Sequence, residues 1–305
     1  MHGMSFEAQA ATPRDLPASG LWSGRLRRLP PHTFFFLSSV FHYLGPSFAV
    51  LLFARVDVLG VAWLRIVSAA AVFAVWRRPW RFVLRLDRSE RWVLLGLGAV
   101  LAAMNSLFYL AVDRLPLSTV GAIEFLGTVL LAALGTRTKR NAAALALTTC
   151  GVATITDIRL AGEPLGFLFA FANCALFLLY VILGHRIANS GRGIDQLGAS
   201  MLIAAVLVTP IGLDGALQAF SHPMLLLAGA GVGVCSSVIP YVFDQLAMAR
   251  LPRATFALLL ALLPMFATLI GAIVLRQFPT AQDLIGIALV IGGVALHRIE
   301  ERTPS

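Results

Sequence analysis

Charge is scarce in this chain, and cysteine scarcer. Only 13% of the 305 residues are Asp, Glu, Lys or Arg, where an ordinary soluble domain carries about a quarter. That shortage excludes a soluble globular domain, whose surface must be solvated on every side. The three cysteines, Cys150, Cys174 and Cys235, lie in separate apolar runs and form no CxxC pair or His/Cys cluster. They read as small core thiols rather than a disulfide framework or a zinc site. No GxxxxGK[ST] is present, which argues against direct ATP drive by this chain, and neither HExxH nor GxSxG occurs. The glycines of "GAGVGVCSS" (229–237) do not fit GxGxxG; Gly229 and Gly233 form a GxxxG, the spacing of close helix contact. No metal site and no cofactor is expected.

What the chain has in plenty is apolar length. Hydrophobic residues make up 58% of it, gathered in runs comparable to the 17–25 residues that a membrane-spanning helix needs. Ten such runs lie at about 33–54, 58–76, 92–112, 116–135, 142–157, 165–184, 197–213, 223–247, 253–275 and 281–297. The pattern predicts an all-α integral membrane protein of ten transmembrane helices. Residues 1–32 are polar and dotted with Pro13, Pro17, Pro30 and Pro31, with no apolar core and cleavage site of a secretory signal. They are expected to form a disordered cytoplasmic tail, as are residues 298–305 beyond the last run.

The basic residues test this count. A net charge of +9 would fit a nucleic-acid partner, but the arginines and lysines fall in short loops between apolar runs, and no nucleic acid is expected. Nineteen of the 24 lie in alternate segments: the N-terminal tail, the loops near 77–91, 136–141, 185–196 and 248–253, and the C-terminal tail. The intervening loops hold four, Arg55, Arg114, Arg159 and Arg276. Such a bias puts both termini in the cytoplasm of a bacterial-type plasma membrane.

The chain also echoes itself. "LAVDRLPLST" (110–119) and "LAMARLPRAT" (246–255) match at Leu, Ala, Arg, Leu, Pro and Thr, at an offset of 136 residues. Arg114 falls in an outside loop and Arg250 in an inside one. Five spans per half would invert the second half relative to the first, so two inverted five-helix repeats are expected, at 33–157 and 165–297. Secondary transporters are built this way, with the substrate site near the midplane between the repeats.

Few polar residues interrupt the spans, and each needs a reason. Glu124 sits in "GAIEFLGT" (121–128), within an uncharged run. A carboxylate there must face protein or water rather than lipid. Gly121, Glu124 and Thr128 share a helix face at i, i+3 and i+7, leaving room beside the acid. Glu124 suits an ammonium ligand or proton exchange; structurally, it could pair with Arg65 or cap a helix. Arg65 is the one basic residue inside a span. Snorkelling, pairing with Glu124 and capture of a substrate carboxylate are all open to it. Asp244, near the cytoplasmic end of span eight, is either a gate or proton site or a hydrated interfacial charge, with Tyr241 one turn back. Asn105 and Tyr109 share a face of span three, suited to lining a cavity or to bonding between helices. His42, before Gly45-Pro46, is a candidate proton relay. Pro264 removes a backbone bond and frees the carbonyl of Leu260, the position that the offset equates with Glu124. Gly45-Pro46 marks a second break, in span one.

Several stretches carry a family resemblance: "PWR" (79–81), "MNSLFYL" (104–110), "AIEFLGT" (122–128), "YVILGHR" (180–186) and "IPYVFDQLAMARLPRATF" (239–256). In their order and spacing the chain resembles the drug/metabolite transporter superfamily, EamA-domain group, and within it the bacterial threonine/homoserine exporter branch. The resemblance spans about 35–297 and implies inverted five-helix repeats and outward movement of small metabolites, often amino acids. Three places depart from the family's pattern. Gly127-Thr128 stands where Gly-Pro is usual, Leu263-Pro264 where Glu-Pro is usual, and Leu275-Arg276-Gln277 where the family has Leu-Gly-Glu. They bear on substrate and ion coupling more than on the fold.

The expected function is secondary export of small metabolites, amino acids such as threonine or homoserine, by alternating access and with proton coupling through Glu124. Export of aromatic amino acids or other drug-like metabolites is the alternative. An intramembrane lipid-modifying enzyme would need clustered acids, histidines or a metal near the head groups; the acids here are scattered, and no enzymatic activity is expected. A non-transporting scaffold would need no polar midplane cavity. The expected partners are a small-molecule substrate and the lipid bilayer, with a homodimer left open.

Overall fold

Within a bilayer no water satisfies the backbone, so an apolar run must close its own hydrogen bonds. Among the residues that the structure describes, each of these runs does so as a helix. The computed structural model describes residues 30–83, 86–135, 138–156, 163–251, 256, 259–260 and 263–296. Among them the long helices are α1 (Pro31–Leu52), α2 (Val58–Arg77), α3 (Arg88–Val112), α4 (Leu117–Gly135), α5 (Lys139–Thr156), α6 (Pro164–Ala188), α7 (Gly193–Phe220), α8 (Pro223–Met248), α9 (Leu263–Val274) and α10 (Ala281–Leu296). A single helical turn, Trp80–Val83, links α2 to α3, and no strand occurs among the described residues. Among the described residues, six helices, α1, α2, α3, α6, α7 and α8, are long and apolar enough to cross a membrane.

Local chemistry sets the ends. Pro31, Pro164 and Pro223 occupy first helical positions, where the missing N–H has no partner to lose. The Asp57 side chain caps α2 by accepting from the amides of Leu59 and Gly60. Asp87 and Glu90 form a capping box at the start of α3. Arg78 ends α2 in the left-handed conformation, at φ 47°.

Two expectations are revised. Helix α7 runs well past the predicted 197–213 on both sides. Hydropathy follows depth in the membrane, whereas the polar first turns of α7 are held by protein: Gln196 and Ser200 are buried, and Ser200 donates to the carbonyl of Leu94 at 3.2 Å. The break expected at Gly45-Pro46 is not one, because α1 continues through Pro46. The lost bond is the one to the His42 carbonyl, and close packing of α1 on α8 holds the helix together there.

The helices pack through small residues, as expected where lipid leaves no hydrophobic force between them. α2 lies along α7, α5 along α10, α3 on α6 and α7, α1 on α8 and α9, and α4 against α5, α6 and α9. The GxxxG of α8 faces α2: a Cβ on Gly229 would come within 2.9 Å of Leu64, and one on Gly233 within 2.6 Å of the Arg65 carbonyl. Immediately after Gly233, α8 widens into one π turn, Val234–Val238. A π turn acts as a one-residue insertion and re-aims the side chains of the turns beyond it.

Candidate functional site

The π turn stands opposite Arg65, and the site grows from that contact. Arg65, on α2, is 3% exposed and does not snorkel. Its Nε donates to Ser237 Oγ at 2.8 Å, and its Nη2 donates to the Ser236 carbonyl at 2.8 Å and to Tyr241 Oη at 3.4 Å. None of these bonds engages Nη1. The guanidinium also lies over the Tyr109 ring, 5.2 Å from its centroid. Gly45 makes this arrangement possible: a Cβ there would come within 2.7 Å of the Ser236 backbone.

Glu124, on α4, is 2% exposed. Its Oε1 accepts from Asn173 Nδ2 of α6 at 3.0 Å, and its Oε2 from the Tyr43 hydroxyl of α1 at 3.3 Å. Gly121, one turn earlier, is buried where a Cβ would come within 2.8 Å of Ala267 and 3.0 Å of the Tyr43 hydroxyl. It thereby keeps Tyr43 within reach of the acid. Arg65 and Glu124 do not pair with each other; among the described residues the ion pairs are Arg77–Asp195 and Arg114–Asp113, both partly exposed.

The two charges share a cavity instead. His42, Pro46, Arg65, Met104, Asn105, Phe108, Glu124, Asn173 and Tyr241 line it, contributed by α1, α2, α3, α4, α6 and α8. The room open to a water's centre is about 10 Å³, enough for roughly one water. Tyr241 donates to Asn105 Oδ1 at 3.0 Å, and Asn105 Nδ2 donates to the Leu101 carbonyl. These two residues are 136 positions apart, the offset of the internal echo. His42 joins the wall by ring contacts with Tyr43 and Tyr241, at 5.5 and 6.5 Å between centroids.

Of the residues singled out in the sequence, Glu124, Arg65, Asn105, Tyr241 and His42 therefore meet at one cavity. Tyr109 is buried beneath Arg65 with its hydroxyl unpartnered. Pro264 is buried on α9 and is not among the residues that line the cavity. The side chain of Thr128 lies outside the described residues. Asp244 forms a separate centre. At 4% exposure it is not a hydrated interfacial charge. Ser38 of α1 donates to its Oδ1 and Tyr180 of α6 to its Oδ2 at 2.8 Å, while Ser38 also donates to the Pro240 carbonyl. Asp244 thus ties α1, α6 and α8 together.

Sequence reasoning missed Asn173, Tyr43, Ser236, Ser237, Ser38 and Tyr180. One signal was present for Asn173, the lone carboxamide in the apolar run of α6. Another was the rarity of tyrosine: the chain has four, and all four are fully buried around these two acids and Arg65.

A buried polar cavity inside a bundle of apolar helices is the architecture of a membrane transporter, and comparison with known proteins agrees. The sequence pattern of the EamA-like transporter family matches residues 164–298. The threonine/homoserine exporter RhtA of Salmonella typhimurium (strain SL1344) is 30% identical over 254 residues, 81% of this chain and 84% of the relative. That of Escherichia coli (strain K12) is 29% identical over 278 residues, 88% of this chain and 92% of the relative. One crystal structure of a protein, 19% identical, superposes with a TM-score of 0.61 over 87% of this chain and 95% of its own, a likeness of fold. The chain belongs to the EamA-like transporters of the drug/metabolite transporter superfamily, in the RhtA-like branch.

Proposed function

We propose that this protein exports small zwitterionic amino acids, threonine and homoserine among them, across a bacterial-type plasma membrane. The observation that carries the reading is one buried cavity walled by Glu124 and Arg65, with no ion pair between them. Buried charges are costly unless paired or hydrogen-bonded. Here each is held by neutral donors or acceptors and left facing shared space. An α-amino acid carries an ammonium and a carboxylate on one carbon, the complement of that pair: Glu124 takes the ammonium, and the Arg65 guanidinium takes the carboxylate.

Room for about one water is too little for an amino acid, so this conformation is closed around its site. Loading requires the helices to part, which is alternating access. Two inverted repeats, 33–157 and 165–297, are the moving bodies in this reading. The pairing of α2 with α7 and of α5 with α10 supports them, because the offset of 136 carries each helix onto its partner. The Asn105–Tyr241 bond joins two residues that the same offset equates. Asp244, with Ser38 and Tyr180, is the cytoplasmic gate, near the ends of α1, α6 and α8 that the arginine bias puts inside. A proton on Glu124 replaces the ammonium on the return step.

Inverted membrane vesicles test the proposal. They should take up labelled threonine or homoserine, faster with a proton gradient. Glu124→Gln should abolish that uptake with membrane levels unchanged. Uptake by this variant at the normal rate would remove Glu124 from the mechanism.

A further inference from the structure

We infer that Asn173 contacts the substrate directly: its Oδ1 accepts an N–H of a primary ammonium bound at Glu124, so the site selects unsubstituted amines over N-alkylated ones. This rests on the zwitterion reading above and adds a residue and a selectivity to it.

Asn173 is fully buried on α6 and lines the cavity. Its Nδ2 donates to Glu124 Oε1 at 3.0 Å. That bond fixes the orientation of the amide, because the flipped form would set its oxygen against a carboxylate oxygen. Oδ1 is then left buried with no hydrogen-bond partner. The other amide and hydroxyl groups on the cavity wall differ, since Asn105 and Tyr241 bond each other and Asn105 also donates to Leu101. Buried polar atoms are normally paired, and an orphan in a cavity points to what the cavity holds.

The corner is rich in acceptors. Its side chains carry two carboxylate oxygens and one unpartnered amide oxygen, and the protein supplies two donors, Asn173 Nδ2 and the Tyr43 hydroxyl. A primary ammonium brings three N–H groups and supplies the missing donors. An N,N-dimethyl ammonium brings one, so it must choose between Glu124 and Asn173.

The test compares uptake of threonine and N,N-dimethylthreonine in inverted vesicles carrying wild-type protein, Asn173→Leu or Asn173→Ala. Wild type should prefer threonine at least 100-fold in kcat/KM. Either substitution also takes the Nδ2 donor from Glu124, so it should lower both values, but threonine's about tenfold further and through KM, narrowing the preference about tenfold. The two variants guard against one failing to fold. If Asn173 merely orients Glu124, both substrates fall in proportion and the ratio holds, which overturns this inference and spares the zwitterion site. If wild type takes up no threonine at all, both fall.

Discussion

Arg65 is held by shape rather than by a counter-charge. Its planar fork reaches a serine hydroxyl, a backbone carbonyl and a tyrosine hydroxyl at once, which a lysine cannot copy from a single ammonium. Arg65→Lys should therefore keep the charge and still weaken threonine binding tenfold or more, measured by titration calorimetry on purified protein; unchanged affinity would reduce Arg65 to a point charge. Much of this site was legible in the sequence. Glu124, Arg65, Asn105 and Tyr241 stand out because polarity inside an apolar run has to be explained. The partners were hidden for a different reason. Tyr43 looks like aromatic core, and Ser236 and Ser237 look like small residues for helix contact, until another helix brings an acid or a guanidinium against them. Asn173 was as conspicuous as Asn105, but its meaning depends on α4 and α6 meeting at Glu124.

Helices α1 and α8 form the seam on which the site depends. Gly45 lets the π turn of α8 press onto α1, with the Ser236 backbone as well as its hydroxyl in the way of any Cβ. Gly45→Ala should cost about 1–3 kcal/mol, as overpacking of a tight contact generally does, seen as a lowered thermal midpoint in detergent. An unchanged midpoint would mean that α1 and α8 are not so constrained. Toward the other end of the seam, Asp244 clasps α1 and α6 to α8. If this is the gate, Asp244→Asn should loosen it, and a cysteine introduced by His42→Cys in the cavity should then react several-fold faster with maleimide from the cytoplasmic side. Equal reaction rates would make the clasp purely structural. The existence of these helices could be read from apolar run length, whereas the ends of α7 and the π turn could not. Helix ends there follow protein contacts such as Ser200 with Leu94, and a π turn leaves no period of its own in five residues.

For the whole molecule, the proposed two-fold plan rests on a ten-residue echo and on the alternation of arginines in the sequence, while the closeness of the helices that the echo relates emerged only from packing. α2 on α7 and α5 on α10 bring offset-related helices side by side. Glu124 and Arg65 both belong to the first half, and Tyr241 with the π turn belongs to the second. In the proposed alternating access, rocking one half against the other would pull Ser236, Ser237 and Tyr241 away from Arg65 and free its guanidinium for a substrate carboxylate. The central claim is that one cavity reads both charges of an amino acid, and equilibrium binding to the purified protein tests it most directly. Threonine, threonine carboxamide and the deaminated 2,3-dihydroxy acid would be titrated in turn. The account predicts binding of threonine and at least tenfold weaker binding of each analogue, with Glu124→Gln and Arg65→Lys both impaired. Equal affinity for threonine and either analogue would contradict it.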